Sequence, residues 1–229
     1  MTVTDVNVVK SAIFERPDDA NKGTLGSLLC VCGSYGMAGA AVMSAKGALR
    51  TGIGLAKCAL PRSIYPIVAQ TILESVYYPL SENADGRISK VNVPFLVSES
   101  CKSSATLVGC GLGVCDDTLK IVFSLIENST TPLVLDADAL NCVAKQPEIL
   151  LRKKAPIIIT PHPGEMSRLT GLATPLVNTE RERVALDFAQ KYGVVTVLKG
   201  AGTVIASPNG KVLVNPTGNS GMATGGSGD

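Results

Sequence analysis

The last five residues, Gly225-Gly226-Ser227-Gly228-Asp229, join a glycine run to a carboxylate. Glycines let successive backbone N–H groups converge on an anion without side-chain clash. Asp229 lies at the mouth of that nest. Beside a bound polyphosphate a carboxylate is repelled, so a structural aspartate is a poor choice there, whereas a base taking a proton from an attacking hydroxyl is a good one. Phosphoryl transfer needs such parts: donors for the developing charge, a metal and a positioned acceptor. Gly225, Gly226, Ser227 and Gly228 are the expected anion hole, and Asp229 the expected base.

Four further stretches carry polar or glycine residues directly after apolar runs. In Asp136-Ala-Asp138-Ala-Leu-Asn141 the two carboxylates are two apart. If the preceding strand persists they share a side and suit sugar hydroxyls or a hydrated cation; alternatively Asp138 caps a helix beginning at Ala139. His162, the only histidine, stands between Pro161 and Pro163, a restricted backbone that suits ligand contact. Lys199-Gly200-Ala201-Gly202-Thr203 reads either as a main-chain cradle for a phosphate or an adenine edge, or as an ordinary turn with a solvated lysine. Gly109-Cys-Gly111-Leu-Gly113 lacks the spacing of a dinucleotide fingerprint and by itself means a tight strand-to-helix turn. No Walker-type loop and no nucleophile elbow is present.

The elements that must position these residues are short apolar strands alternating with amphipathic stretches. Strands are expected over 27–33, 54–60, 105–111, 132–138, 156–160 and 194–200, with a small-residue helix over 39–52 and another near 116–127. Thr179 and Glu182 have capping-box spacing, ahead of Val184, Phe188 and Tyr192 on one helix face. Near-continuous apolar strands between helices imply a mainly parallel sheet with helices on both faces. Residues 202–215 read as a hairpin, placing an antiparallel element near the end. The expected fold class is therefore one α/β domain spanning 1–229, with ligands outside the carboxyl ends of the strands.

Composition narrows the partners. With 229 residues, 45% of them hydrophobic, the chain can bury one large core. A net charge of +2 and 4% aromatics give neither an electrostatic stripe nor a stacking platform for nucleic acid, so a small molecule is the expected partner. No apolar run has the length of a membrane span, and residues 1–7 lack the regions of a signal peptide. Seven cysteines in apolar segments suit free thiols in a reducing cytoplasm. A zinc site from Cys30, Cys32, Cys110 and Cys115 lacks the supporting CxxC spacing.

Taken in order, "KGTLGSLLCVCGS", "GMAGAA", "GALRTGIGL", "LVLDADALN", "IITPHPGEMSRLTG", "LKGAGTVI" and "GNSGMATGGSGD" resemble the NAD(P)H-hydrate dehydratases, from about Lys22 to Asp229. These are the carboxy-terminal half of the bifunctional nicotinamide nucleotide repair enzymes. The resemblance implies a ribokinase-like fold and a lyase that restores NADH or NADPH from its 6-hydroxy adduct. ADP or ATP, with Mg2+, phosphorylates the hydroxyl, and phosphate then leaves. On that resemblance Asp229 is the general base, and Lys199, Gly200, Ala201, Gly202, Thr203 and Gly228 bind the nucleotide. Ala40, Gly111 and His162 match substrate positions, and Asp136, Asp138 and Asn141 line the same cleft. It also implies a homo-oligomer, a tetramer in the family, and a functional link to an NAD(P)H-hydrate epimerase, whose domain this sequence lacks. Family members continue past Asp229 into a helix, so the sequence is expected to be cut short there. The alternatives are a ribokinase-like small-molecule kinase of the hydroxyethylthiazole or pyridoxal type, or an inactive nucleotide-binding fragment.

Overall fold

The structure is a computed structural model describing residues 2–4, 9–10 and 15–226. Its strands are β1 (Thr2–Val3), β2 (Ser27–Val31), β3 (Leu55–Pro61), β4 (Val76–Leu80), β5 (Ala105–Val108), β6 (Leu133–Leu135), β7 (Ile157–Ile159), β8 (Val195–Leu198), β9 (Thr203–Ala206) and β10 (Val212–Asn215). They form one ten-stranded sheet in the order β1-β10-β9-β8-β7-β6-β5-β2-β3-β4. From β4 to β8 every neighbouring pair is parallel, while β9 runs antiparallel to both β8 and β10. The expected mainly parallel sheet and closing hairpin are both present; β1 and β4 went unread.

The helices are α1 (Ala38–Thr51), α2 (Tyr65–Thr71), α3 (Val93–Cys101), α4 (Asp116–Asn128), α5 (Asp138–Val143), α6 (Pro163–Thr170), α7 (Thr174–Thr179) and α8 (Arg181–Tyr192). Strand alternation divides the core. Leu29 and Val31 face one side with α3 to α8, whereas Cys30 and Cys32 face the other, under α1 and α2. Ala40, Ala41, Ser44 and Ala45 form the buried stripe of α1, small enough to let that helix lie close to β2. Farther along this second face, Leu107, Val134, Ile158, Val195 and Val197 are only half-buried.

The helix over 116–128 forms as expected, with Asp116 and Asp117 in its first turn where the dipole favours them. Val184, Phe188 and Tyr192 are buried in the core. The expected capping box at Thr179 is not there. Thr179 ends α7, its hydroxyl donating to the Pro175 and Leu176 carbonyls, and Glu180 caps α8 without a side-chain bond. α7 starts just upstream with Pro175 in its first turn, and this uses the threonine from the opposite side.

Connections run from β2 outward through β3 and β4, then return to the other side of β2 and proceed from β5 to β8. The strand order therefore reverses between β2 and β5. The helices that follow those two strands, α1 after β2 and α4 after β5, lie on opposite faces of the sheet, and that is where a doubly wound sheet opens a crevice.

Candidate active site

Loop 32–37, after β2, and loop 109–113, after β5, meet at this switch point. The Gly33 N–H donates to the Cys110 carbonyl at 2.8 Å. The buried Ser34 hydroxyl donates to the Gly111 carbonyl, also at 2.8 Å. Loop 109–113 needs its glycines. A Cβ on Gly109 would sit 1.9 Å from the Asp136 carbonyl oxygen, and one on Gly111 2.7 Å from the Ala40 Cβ. Ala40 and Gly111, expected as substrate positions, are thus packed together, with α1 running directly over the loop.

β6 ends at Leu135, and Ala137 then takes φ 49°, the one positive φ of a described non-glycine residue. The strand does not persist, so the expected period-two pairing of the aspartates does not apply. Asp136, 4% exposed, accepts from Lys199 Nζ at 2.7 Å. Asp138 accepts from the Gly113 N–H at 2.8 Å and from Asn141 Nδ2 at 3.2 Å, and Asn141 in turn accepts from Arg168. Asp138 is the first helical residue, with Ala137 as N-cap, so it does not cap a helix starting at Ala139. Its carboxylate instead fastens the glycine loop to α5. Asp136 faces an ammonium, whereas Asp138 is held by uncharged donors, so the two carboxylates do not share a partner.

β7 leads into Thr160-Pro161-His162. His162 is the N-cap of α6: its Nδ1 accepts from the Gly164 and Glu165 N–H groups, and its own N–H donates to Glu165 Oε2 at 2.8 Å. The proton then sits on Nε2, 3.5 Å from Glu165 Oε1, in a side chain half exposed to solvent. The Pro161 carbonyl accepts from the Lys199 N–H at 2.8 Å, tying this loop to the end of β8.

Residues 199–203 form a closed turn. Thr203 Oγ1 donates to the Gly200 carbonyl and accepts from the Gly200 N–H. Lys199 is not the solvated lysine of an ordinary turn, because its ammonium lies against Asp136 with 26% of the side chain exposed. Gly225 and Gly226 close the described chain. A Cβ on Gly226 would meet the Met43 sulfur at 2.6 Å, so the glycine run reaches α1 one turn beyond Ala40. Ser227, Gly228 and Asp229 lie outside the described residues.

Thiol chemistry is disfavoured at Cys32. A hydrogen bond to Cys110 and complete burial push the Cys32 thiol well above its ordinary pKa. The thiol therefore stays protonated. Cys30, Cys32, Cys110 and Cys115 do not build a zinc site: among the described residues no group of three or more His, Cys, Asp or Glu could hold a metal ion.

A family model described as NAD(P)H-hydrate dehydratase matches residues 28–229, from β2 to the last glycine-rich residues. The chain belongs to the NAD(P)H-hydrate dehydratase family. Among relatives, a bifunctional NAD(P)H-hydrate repair enzyme of Thermofilum pendens is 41% identical over 93% of this chain and 41% of its own length. The chain spans about two fifths of the length of such bifunctional relatives. A crystal structure of the ADP/ATP-dependent NAD(P)H-hydrate dehydratase from Bacillus subtilis, co-crystallised with ATP and Mg2+, superposes with a TM-score of 0.82 at 30% identity, over 98% of this chain and 76% of that one. A ribokinase-like superfamily protein from Enterococcus faecalis gives 0.83 at 22% identity, over 99% and 75% of the two chains, a likeness of fold alone. The dehydratase sheet described above is thus ribokinase-like, as the resemblance implied. No helix among the described residues of this dehydratase-family chain is long and apolar enough to cross a membrane.

Two contributors escaped the sequence reading. Ser34, the last residue of the quoted "KGTLGSLLCVCGS", bridges the two switch-point loops. Arg181 reaches the end of β8 from the start of α8. A basic residue in the first turn of a helix, against the dipole, was the one available signal.

Proposed function

We propose that this protein dehydrates the 6-hydroxy form of NADH or NADPH, using ADP or ATP as phosphoryl donor. The observation that carries the reading is the convergence of loop 109–113, the Asp136–Lys199 pair and turn 199–203 at the carboxyl ends of β5, β6 and β8, in a chain whose residues 28–229 match the dehydratase family. The single sheet of the described residues supports one dehydratase domain.

Hydroxide is a poor leaving group and phosphate a good one, so kinase chemistry precedes the loss of water. The substrate hydroxyl attacks the terminal phosphorus of the donor as its proton passes to Asp229. The bond to the departing nucleotide breaks. The ring C–O bond then breaks, with its electron pair leaving on phosphate, and loss of a proton from the adjoining ring carbon restores the dihydronicotinamide. In this reading the N–H groups of residues 225–228 receive the transferring phosphate, and turn 199–203 holds the adenylate part of the donor. Ala40, Gly111 and His162 bound the dinucleotide. Asp136, Asp138 and Asn141 act from behind, keeping the loops in place.

The described residues offer no preformed metal cage. That fits Mg2+ carried mainly by nucleotide phosphates and water. When bound it would neutralise charge on the transferring phosphate.

A cytoplasmic location is supported by seven free cysteines, most of them buried. A link to an epimerase is supported by the bifunctional relatives, and the homo-oligomer rests on family resemblance.

The test is to supply hydrated NADH with ADP and with ATP, following dihydronicotinamide absorbance and phosphate release. Both should rise together; a phosphorylated product that accumulates would favour a small-molecule kinase, and nucleotide binding without turnover an inactive fragment. Asp229→Asn should cut turnover by about a hundredfold or more while nucleotide binding survives. Near-normal turnover would remove Asp229 from its role.

A further inference from the structure

Arg181 carries three costs at one position. It begins α8, where the helix dipole disfavours a cation. Its Nε is buried without a hydrogen-bond partner among the described residues. Burial also lowers the pKa of its guanidinium. In return, Nη2 donates to the Leu198 carbonyl at 2.8 Å and to the Lys199 carbonyl at 3.2 Å. These are the last residue of β8 and the first of turn 199–203. The guanidinium also backs the next residue, since a Cβ on Gly200 would lie 2.9 Å from both terminal nitrogens. A cavity of about 520 Å3 opens beside it, lined by Arg181, Ala201, Gly202 and Val204 among others.

We propose that Arg181 is the positioning residue of turn 199–203, holding its main chain in the form that receives the phosphoryl donor. The proposal rests on the reading of this turn as the nucleotide-binding segment. A single planar cation bridging two consecutive carbonyls fixes the exit of β8 more rigidly than the turn's own Thr203–Gly200 bonds can. Preorganisation of this kind lowers the ordering cost of binding and acts on donor affinity more than on the chemical step. Arg183, two residues on, lines the same cavity without a bond to the turn, and supplies a contrast. It is mostly exposed and paired with Glu180.

Arg181→Ala, Arg181→Lys and Arg183→Ala should be compared with the parent in two measurements. The first is amide hydrogen exchange across 199–203 in the protein without nucleotide. The second is the KM for ADP, with kcat and the KM for hydrated NADH. Arg181→Ala should speed exchange in the turn and raise the ADP KM about tenfold, with kcat and the other KM within about twofold. Arg181→Lys should fall between, which also covers an alanine variant that folds poorly, and Arg183→Ala should match the parent. Unchanged exchange in the turn, or equal losses toward both substrates, would overturn the proposal. Absence of turnover in the parent overturns the dehydratase reading instead, and the exchange measurement still decides the role of Arg181.

Discussion

Gly111 joins two demands, a backbone at φ 63° and a surface pressed against Ala40 and Met37. Gly36 shares the positive φ, at 83°, but a Cβ there would meet nothing within 4 Å. The pair separates conformational strain from steric conflict. Gly36→Ala should cost about 1 kcal/mol from φ alone. Gly111→Ala should cost about 2 to 3 kcal/mol, because α1 must also shift. For a chain of this size that is a melting-temperature drop of about 2–4 °C against about 4–12 °C. Thermal unfolding of the two variants checks it; equal drops would mean that the loop yields freely beneath α1. Asp136 and Lys199 obey a different rule. Their pair is nearly dry on the aspartate side, so removing either partner strands a charge and costs far more than the intact pair contributes.

At the scale of elements, α6 shows one residue serving two ends. His162 caps the helix through Nδ1 while half of its side chain stays exposed at the carboxyl end of β7. Asparagine can replace the cap but not the imidazole; alanine replaces neither. His162→Ala should lower stability by about 1 kcal/mol, and His162→Asn should recover most of that loss. Both should weaken binding of hydrated NADH more than binding of ADP if the exposed edge meets substrate. Calorimetric titration with each ligand, beside thermal unfolding, distinguishes the roles. Recovery of substrate affinity together with stability in the asparagine variant would leave His162 as a cap alone. The same scale explains the missing box at Thr179: capping is decided by where the previous helix stops, and α7 stops on that threonine.

Across the whole molecule, the machinery sits at the carboxyl ends of the strands, and the ionic packing of Glu99 lies near the amino ends of β3 and β5. Glu99, largely buried on α3, accepts from Lys102 Nζ at 3.0 Å and from the Tyr78 hydroxyl at 3.0 Å, with Lys57 Nζ at 3.8 Å. The Lys102 bond is the main cause that lowers its pKa, assisted by Tyr78 and the lysine charges against the opposing effect of burial. A carboxylate with a depressed folded-state pKa stabilises the protein above the ordinary carboxylate range. That contribution disappears as pH falls through the folded value. Glu99→Gln should therefore melt below the parent near neutrality, and the gap should close as pH falls below about 4. A gap that stays constant down to acid would show that shape, not charge, holds α3. On the proposed function, turnover of hydrated NADH at neutral pH should barely change, since none of these groups lies among the loops of the site.

Local physics explains what the sequence determined by itself. Apolar runs bounded by glycine or proline marked β2, β3 and β5 to β8, because a strand buried on a parallel sheet declares itself within a few residues. The residues after those runs were the right ones to read, since open α/β sheets bind at carboxyl ends whatever their side chains. Only the tertiary structure decided which of them meet. Asp136 and Lys199 are 63 positions apart, Gly113 and Asp138 are 25 apart, and Arg181 lies 17 residues before the carbonyl it holds. No periodicity spans such distances. The strand order sets them, by reversing between β2 and β5 and laying β6, β7 and β8 alongside. The same ordering gives Asp136, Asp138 and Asn141 their separate bonding partners. A carboxylate near a buried ammonium or a free N–H is drawn to it more strongly than to water, and where those partners lie is a property of the assembled sheet.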